Sequence, residues 1–238
     1  MAQARNVAFA ATKPTGLAAI LGSKAKDEGI AMGGINLKFT EEKEKLPVGA
    51  SKFLGNPDVW DGFEWPHFTE DGEDYDLKFL CQINCAEAAL FDWGGLLPKT
   101  GMLYFFYDMD EMPQESSDNS AARILYYNGE LSALRQMLLT DHDGGDMSFR
   151  EMKIHFNAQG KIGEDYQASL GETLPMGWQP VLQILPFETD RVSIKFDDDK
   201  ALCFFIDKPK LERRDFSDIH MRQMRNNYPP NVFDLKGG

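Results

Sequence analysis

Leu103-Tyr104-Phe105-Phe106-Tyr107-Asp108 and Leu202-Cys203-Phe204-Phe205-Ile206-Asp207 share the pattern Leu-x-Phe-Phe-x-Asp, 99 residues apart. Each follows a shorter apolar run ending in Gln-Ile: Phe79-Leu80-Cys81-Gln82-Ile83, and Pro180-Val181-Leu182-Gln183-Ile184, 101 residues apart. Aromatic and branched side chains favour a pleated, half-buried surface, so all four runs read as strands. Matching order and spacing point to an internal echo, with chance likeness of apolar strands as the alternative. A repeat of about 100 residues is too long for a solenoid. The fold class expected is therefore α+β: two related half-domains with mainly antiparallel sheets, pseudo-duplicated, each burying a strand against its own sheet. A cleft between two such halves is a common place for a ligand.

Outward from these runs, Ile30 to Phe39, Arg123 to Tyr127, Phe149 to Phe156 and Arg191 to Phe196 also read as strands. Ala86 to Leu90 reads as a short helical turn. Residues 15–27 and 131–139 carry helical spacing, and Phe216 to Arg225 is expected as a C-terminal helix. Pro47 to Pro66 has turn chemistry. The organisation expected is an N-terminal helix and strand over 1–45, a first half over 46–125, a second over 126–225, and a flexible tail over 226–238, all in one body.

The chain of 238 residues has 42% hydrophobic and 26% charged residues, which excludes disorder and fibrous classes. Its net charge of −13 argues against binding nucleic acid, whose phosphates need basic residues, and against anionic membrane surfaces. The charge is concentrated. Residues 41–120 hold 18 acidic and 5 basic residues, whereas the rest of the chain balances. Solvated loops explain this, and so does a negative face that attracts a basic protein partner. The densest run is Glu70-Asp71-Gly72-Glu73-Asp74-Tyr75-Asp76, whose adjacent acids and misplaced glycine break the spacing of a calcium loop. The segment 208–225 is basic and reads either as a solvated helix face or as a partner for that acidic middle, in the same chain or in a second copy.

Three cysteines, Cys81, Cys85 and Cys203, are too few for a disulfide framework and lack zinc spacing. They read as small buried hydrophobes in a cytoplasmic protein. The N-terminal apolar run is interrupted at Lys13-Pro14, so no signal or membrane segment is expected there. Four histidines, His67, His142, His155 and His220, show no metal-binding or catalytic spacing. Neither a nucleophile elbow, a phosphate loop nor a dinucleotide fingerprint is present. No cofactor and no metal are expected, and no catalytic residue can be named.

Candidate binding residues are aromatic and amide groups. Trp60, Phe63 and Trp65 cluster in an acidic loop, either as its small core or as an exposed anchor. Gln82 and Asn84 alternate with Cys81 and Ile83, either as the polar face of a strand or as recognition groups lining a cleft.

Ser51-Lys52-Phe53-Leu54-Gly55-Asn56-Pro57, followed by Gly62-Phe63-Glu64-Trp65-Pro66, resembles the opening signature of the YwqG-like family, a bacterial domain family of unknown function. Phe79 to Asn84, Leu97 to Asp108 and Ala201 to Asp218 resemble its later blocks, so the likeness spans roughly residues 45–220. Leu54-Gly55 stands where the family usually has two glycines. The resemblance implies a soluble α+β protein without an assigned catalytic residue. Its members' context near bacterial toxins implies an immunity-type binder. Three readings follow: a protein-binding module with an acidic face, neutralising a basic toxin or effector; a small-ligand binder in the cleft between halves; or an enzyme with a carboxylate and histidine site.

Overall fold

The computed structural model describes residues 30–32, 35–42, 44–90, 97–117, 119–140, 143, 145–157, 177–188, 193–196 and 200–225. The expected helix over 15–27, the tail over 226–238 and His142 lie outside them.

An eleven-stranded sheet organises the chain. Its strands are β1 (Ile30–Met32), β2 (Ile35–Glu41), β3 (Lys52–Phe53), β7 (Lys78–Asn84), β8 (Met102–Tyr107), β9 (Glu115–Ser116), β10 (Ala122–Tyr127), β12 (Met152–Asn157), β13 (Trp178–Ile184), β16 (Lys200–Asp207) and β17 (His220–Arg225). Three two-stranded ribbons complete it: β4 (Asp58–Val59) with β11 (Arg135–Gln136), β5 (His67–Glu70) with β6 (Glu73–Asp76), and β14 (Phe187–Glu188) with β15 (Ser193–Ile194). Every pairing is antiparallel among the described strands.

The α+β expectation is overturned, because the molecule is mostly antiparallel β-sheet. Among the described residues only two α-helices occur, α1 (Cys85–Ala89) and α2 (Lys208–Glu212), each of five residues. Nor do two halves keep separate sheets, since strands from both stretches join one sheet in the order β10-β8-β7-β3-β12-β2-β1-β13-β16-β17-β9.

The sequence echo recurs as an echo in pairing. Gln82 lies opposite Tyr104 and Ile83 opposite Leu103. Gln183 lies opposite Cys203 and Ile184 opposite Leu202. Both ladders shift register at the same place, between Phe79 and Cys81 in one and between Pro180 and Leu182 in the other. From the central β2–β12 pair, the order runs outward through β3, β7, β8 and β10 on one side and through β1, β13, β16 and β17 on the other.

Strands β8 and β16 read as near-continuous apolar runs because both their faces are covered. One face of each meets the other. Phe105 and Phe204 touch edge-to-face at 5.4 Å, although six strands separate β8 from β16 in the sheet. The sheet therefore curls over a shared core containing Leu37, Phe53, Ile83, Leu103, Ile184 and Leu202. Segment 111–117 draws the ends together: β9 lies between β8 and β10 in sequence but pairs with β17. The Gln223 amide also donates to Tyr107 Oη at 2.9 Å.

Two expected helices are strands or turns. Residues 220–225 form β17, with Met221 in the shared core and Met224 packed in a separate cluster beside Cys203 and Phe205. Residues three apart share a helix face but lie on opposite strand faces, and pairing with β16 decides between them. Residues 131–139 give one 3-10 turn, Leu131–Ala133, then β11. There Leu134 is drawn under the aromatic cluster of the first run.

Truncating either ring of the central contact, Phe105→Ala or Phe204→Ala, is expected to cost about 3–5 kcal/mol in denaturant unfolding. The double variant should fall short of additivity by about 0.5–1.5 kcal/mol. Strict additivity would show that β8 and β16 do not meet through these rings.

Candidate functional site

The 46–58 crossing is tied to the sheet by a buried polar network. Lys52 and Asp58 are both fully buried, and Lys52 Nζ lies 3.0 Å from Asp58 Oδ1. Glu151 Oε2 lies 3.5 Å from the same ammonium, while its Oε1 accepts from Leu46 N–H at 2.7 Å. Asp58 Oδ2 accepts from Gly49 N–H at 2.9 Å and from Gln82 Nε2 at 2.7 Å. Tyr104 Oη donates to the Asp58 carbonyl at 2.5 Å, and burial pushes that phenol's pKa well up. A charge taken from water needs an opposite charge and hydrogen bonds, and this network gives the Lys52 ammonium two carboxylates.

Gly55 allows the network to close. A Cβ there would run into Glu151, so only glycine lets the two backbones approach. The departure at the preceding position has a structural consequence. Leu54 takes φ 58°, a left-handed conformation that costs a non-glycine residue about 1–2 kcal/mol. Burial of its side chain in the shared core offsets that cost.

Gln82 and Asn84 lie at the heart of this network. Gln82 Nε2 donates to Ala50 O at 2.9 Å as well as to Asp58, and its Oε1 accepts from Asp58 N–H at 2.8 Å. Asn84 Nδ2 donates to Gly49 O at 2.9 Å, and its Oδ1 caps α1 by accepting from Ala86 N–H at 3.0 Å. Both amides thus bond the chain itself. On the other side of the sheet the corresponding register position to Lys52, opposite Gln183 rather than Gln82, belongs to Ala31. That to Tyr104 belongs to Cys203.

Trp60 and Trp65 cover the outer face of β8. Trp60 stacks on Tyr127 at 5.1 Å and meets Phe63 edge-on at 4.9 Å. Trp65 meets Phe106 edge-on at 5.3 Å, and its Nε1 donates to Leu77 O at 2.8 Å. Both indoles remain half-buried.

Beside them the acidic run forms the β5–β6 hairpin, not an irregular loop. Asp71 and Gly72 make its two-residue turn with φ 51° and 83°, the left-handed pair that a tight hairpin needs. Glu70, Asp71, Glu73, Asp74 and Asp76 are all exposed. Phe68 and Tyr75 stack across the strands at 5.4 Å. The Tyr75 phenol is held above its usual range by its hydrogen bond to Glu73 and by the surrounding carboxylates.

The described histidines occupy separate strands. His67 is exposed on β5. His155 on β12 lies 2.9 Å from Thr40 Oγ1. His220 on β17 stacks on Trp178 at 3.7 Å, with Asp207 Oδ1 3.8 Å away. Among the described residues, no group of three or more His, Cys, Asp and Glu could hold a metal ion. Cys81, Cys85 and Cys203 are free and buried. Burial pushes the Cys85 thiol up to about 12, so it stays protonated and unreactive at neutral pH. The basic segment does reach the acidic middle, because Arg222 forms an ion pair with Glu115 at 2.6 Å.

Sequence reasoning missed the Lys52–Asp58 pair. The available signal was a lysine set between Ser51 and the apolar Phe53-Leu54, in a stretch otherwise read as turns.

Residues 51–173 match the model of a family described as a domain of unknown function, DUF1963, and the chain belongs to that family. No curated protein matches it. Among the described residues no helix is long and apolar enough to cross a membrane.

Removing one member of the buried pair, Lys52→Met, leaves Asp58 without its ammonium and is expected to cost about 3–5 kcal/mol in equilibrium unfolding. Lys52→Met combined with Asp58→Asn should cost clearly less than the two single changes added together. Near-zero loss from Lys52→Met would show that the pair does not hold the crossing.

Proposed function

We propose that this member of the DUF1963 family is a protein-binding module that recognises a basic partner through an acidic face. The observation that carries the reading is the β5–β6 hairpin. It stands apart from the main sheet and exposes five carboxylates. Among the described residues none of the five has a basic side chain in ion-pair contact. Such a cluster raises the local concentration of a cationic protein and speeds encounter. The Phe68–Tyr75 stack supplies an aromatic centre, with Tyr75 43% exposed. The half-buried indoles of Trp60 and Trp65 pack on the same aromatic cluster as Phe68. Large rings with polar edges are the usual energetic centres of protein interfaces. Gln82 and Asn84 serve this reading only indirectly, by fixing the crossing that leads into the Trp60 loop.

The YwqG-like blocks belong to the same proposal, because Ser51 to Pro57 and Leu97 to Asp108 fall inside the matched stretch. An immunity-type role toward a basic toxin or effector is the version that this resemblance supports. A cytoplasmic location agrees with three free, buried thiols. The net charge of −13 favours neither nucleic acid nor an anionic membrane as the partner.

Calorimetric titration with a peptide of serine and lysine tests the charge account. Binding should weaken steeply with salt. The variant Glu70→Gln/Glu73→Gln/Asp74→Asn/Asp76→Asn should lose about tenfold or more in affinity at low salt, equivalent to about 1.4 kcal/mol. Affinity indifferent to salt and to those four changes would refute the reading.

A further inference from the structure

We infer that the outer edge of β6 takes an extended segment of the partner, bearing lysine or arginine at alternate positions, as a third strand of the β5–β6 hairpin. The inference rests on the acidic-face reading and states how that face is met. Among the described residues β6 pairs with β5 alone, and all four of its residues are exposed. The register fixes which backbone groups are open. Phe68 lies opposite Tyr75 and Glu70 opposite Glu73, and beyond them Leu77 N–H donates to Pro66 O at 3.0 Å. Directly bonded pairs alternate with unbonded ones along an antiparallel ladder. The bonded pairs are therefore 66–77, 68–75 and 70–73. Asp74 and Asp76 turn their backbone N–H and C=O groups away from β5. The opposite edge differs. His67 O on β5 accepts from Arg123 Nη2 of β10 at 3.4 Å, so that side is met by the main sheet.

Two strands alone are marginal in water, and a third one adds its own ladder of backbone bonds. Main-chain pairing of this kind gives affinity, and the side chains directly opposite give selectivity. Along β6 those side chains are Glu73, Asp74, Tyr75 and Asp76. Lys78, two residues on, pairs with Asp110 at 3.1 Å rather than with β6. A second copy set antiparallel on this edge would bring Asp74 against Asp76, and like charges directly opposite destabilise a ladder. A cationic strand meets carboxylates at the same positions and is drawn to the edge that copies of this chain avoid.

The test uses the full chain and a peptide of alternating lysine and threonine in three forms: unmodified, N-methylated on the lysine backbone nitrogens, and N-methylated on the threonine backbone nitrogens. All three carry the same charge, but each methylated form loses the donors along one of its edges. Lysines opposite Asp74 and Asp76 use their own N–H groups in the ladder. The lysine-methylated form should therefore bind about tenfold weaker or worse, and the threonine-methylated form about as well as the parent. Amide exchange read by NMR should slow at Asp74 and Asp76 and not at Thr69, whose N–H lies on the β5 edge. If charge-driven binding is present but the two methylated forms bind alike, or if protection falls on Thr69 instead, strand addition to β6 fails and the acidic-face reading stands. If neither this peptide nor the serine–lysine peptide binds, both fail.

Discussion

The edge-to-face contact of Phe105 with Phe204 is the point on which the architecture turns. Eleven strands in one open sheet would leave two broad apolar faces in water. Curling the sheet until β8 faces β16 buries one face of each strand in a common core, with the two rings in contact across it. The outer faces then need separate cover. On the first run, Trp60, Phe63 and Trp65 provide it by packing over Tyr104 and Phe106.

That cover depends on a short crossing with little regular structure. Residues 46–58 hold their path because Lys52, Asp58, Glu151 and Gln82 satisfy one another beneath them. The carboxylates of Asp58 and Glu151 also accept backbone N–H groups of Gly49 and Leu46, which otherwise would be left without secondary-structure partners. Gly55 and the strained Leu54 set the close approach to residue 151. The network thus acts on function at one remove, by fixing where the Trp60 loop begins.

The strands were legible where chemistry was uniform. The runs at 79–84, 102–107, 123–127 and 201–206 are dense in aromatic and branched residues, and they form β7, β8, β10 and β16 within a residue or two. The stretch His220-Met221-Arg222-Gln223-Met224-Arg225 was not, because methionine, arginine and glutamine have good helix propensity and only the open edge of β16 makes them a strand. Asp71-Gly72 carries a hairpin signal, but the acids crowded around it read as a solvated loop rather than as two paired strands. The Lys52 network was invisible for a different reason. Charged residues normally read as surface, and the contact between Lys52 and Glu151 spans 99 positions. Of the candidate site, the indoles and amides stand out in the sequence as candidates, whereas the internal bonding of the amides required the fold.

The structure as a whole divides its polar groups into two sets. One set is enclosed and bonded internally, around Lys52. The other stands in water on β5 and β6, where it shapes the surface's charge. Hydrogen–deuterium exchange of the full chain, with and without the serine–lysine peptide, separates these sets most directly. The account predicts slowed exchange confined to residues 67–76. Protection centred instead on the backbone around Gln82 and Asn84, with the hairpin unchanged, would contradict it.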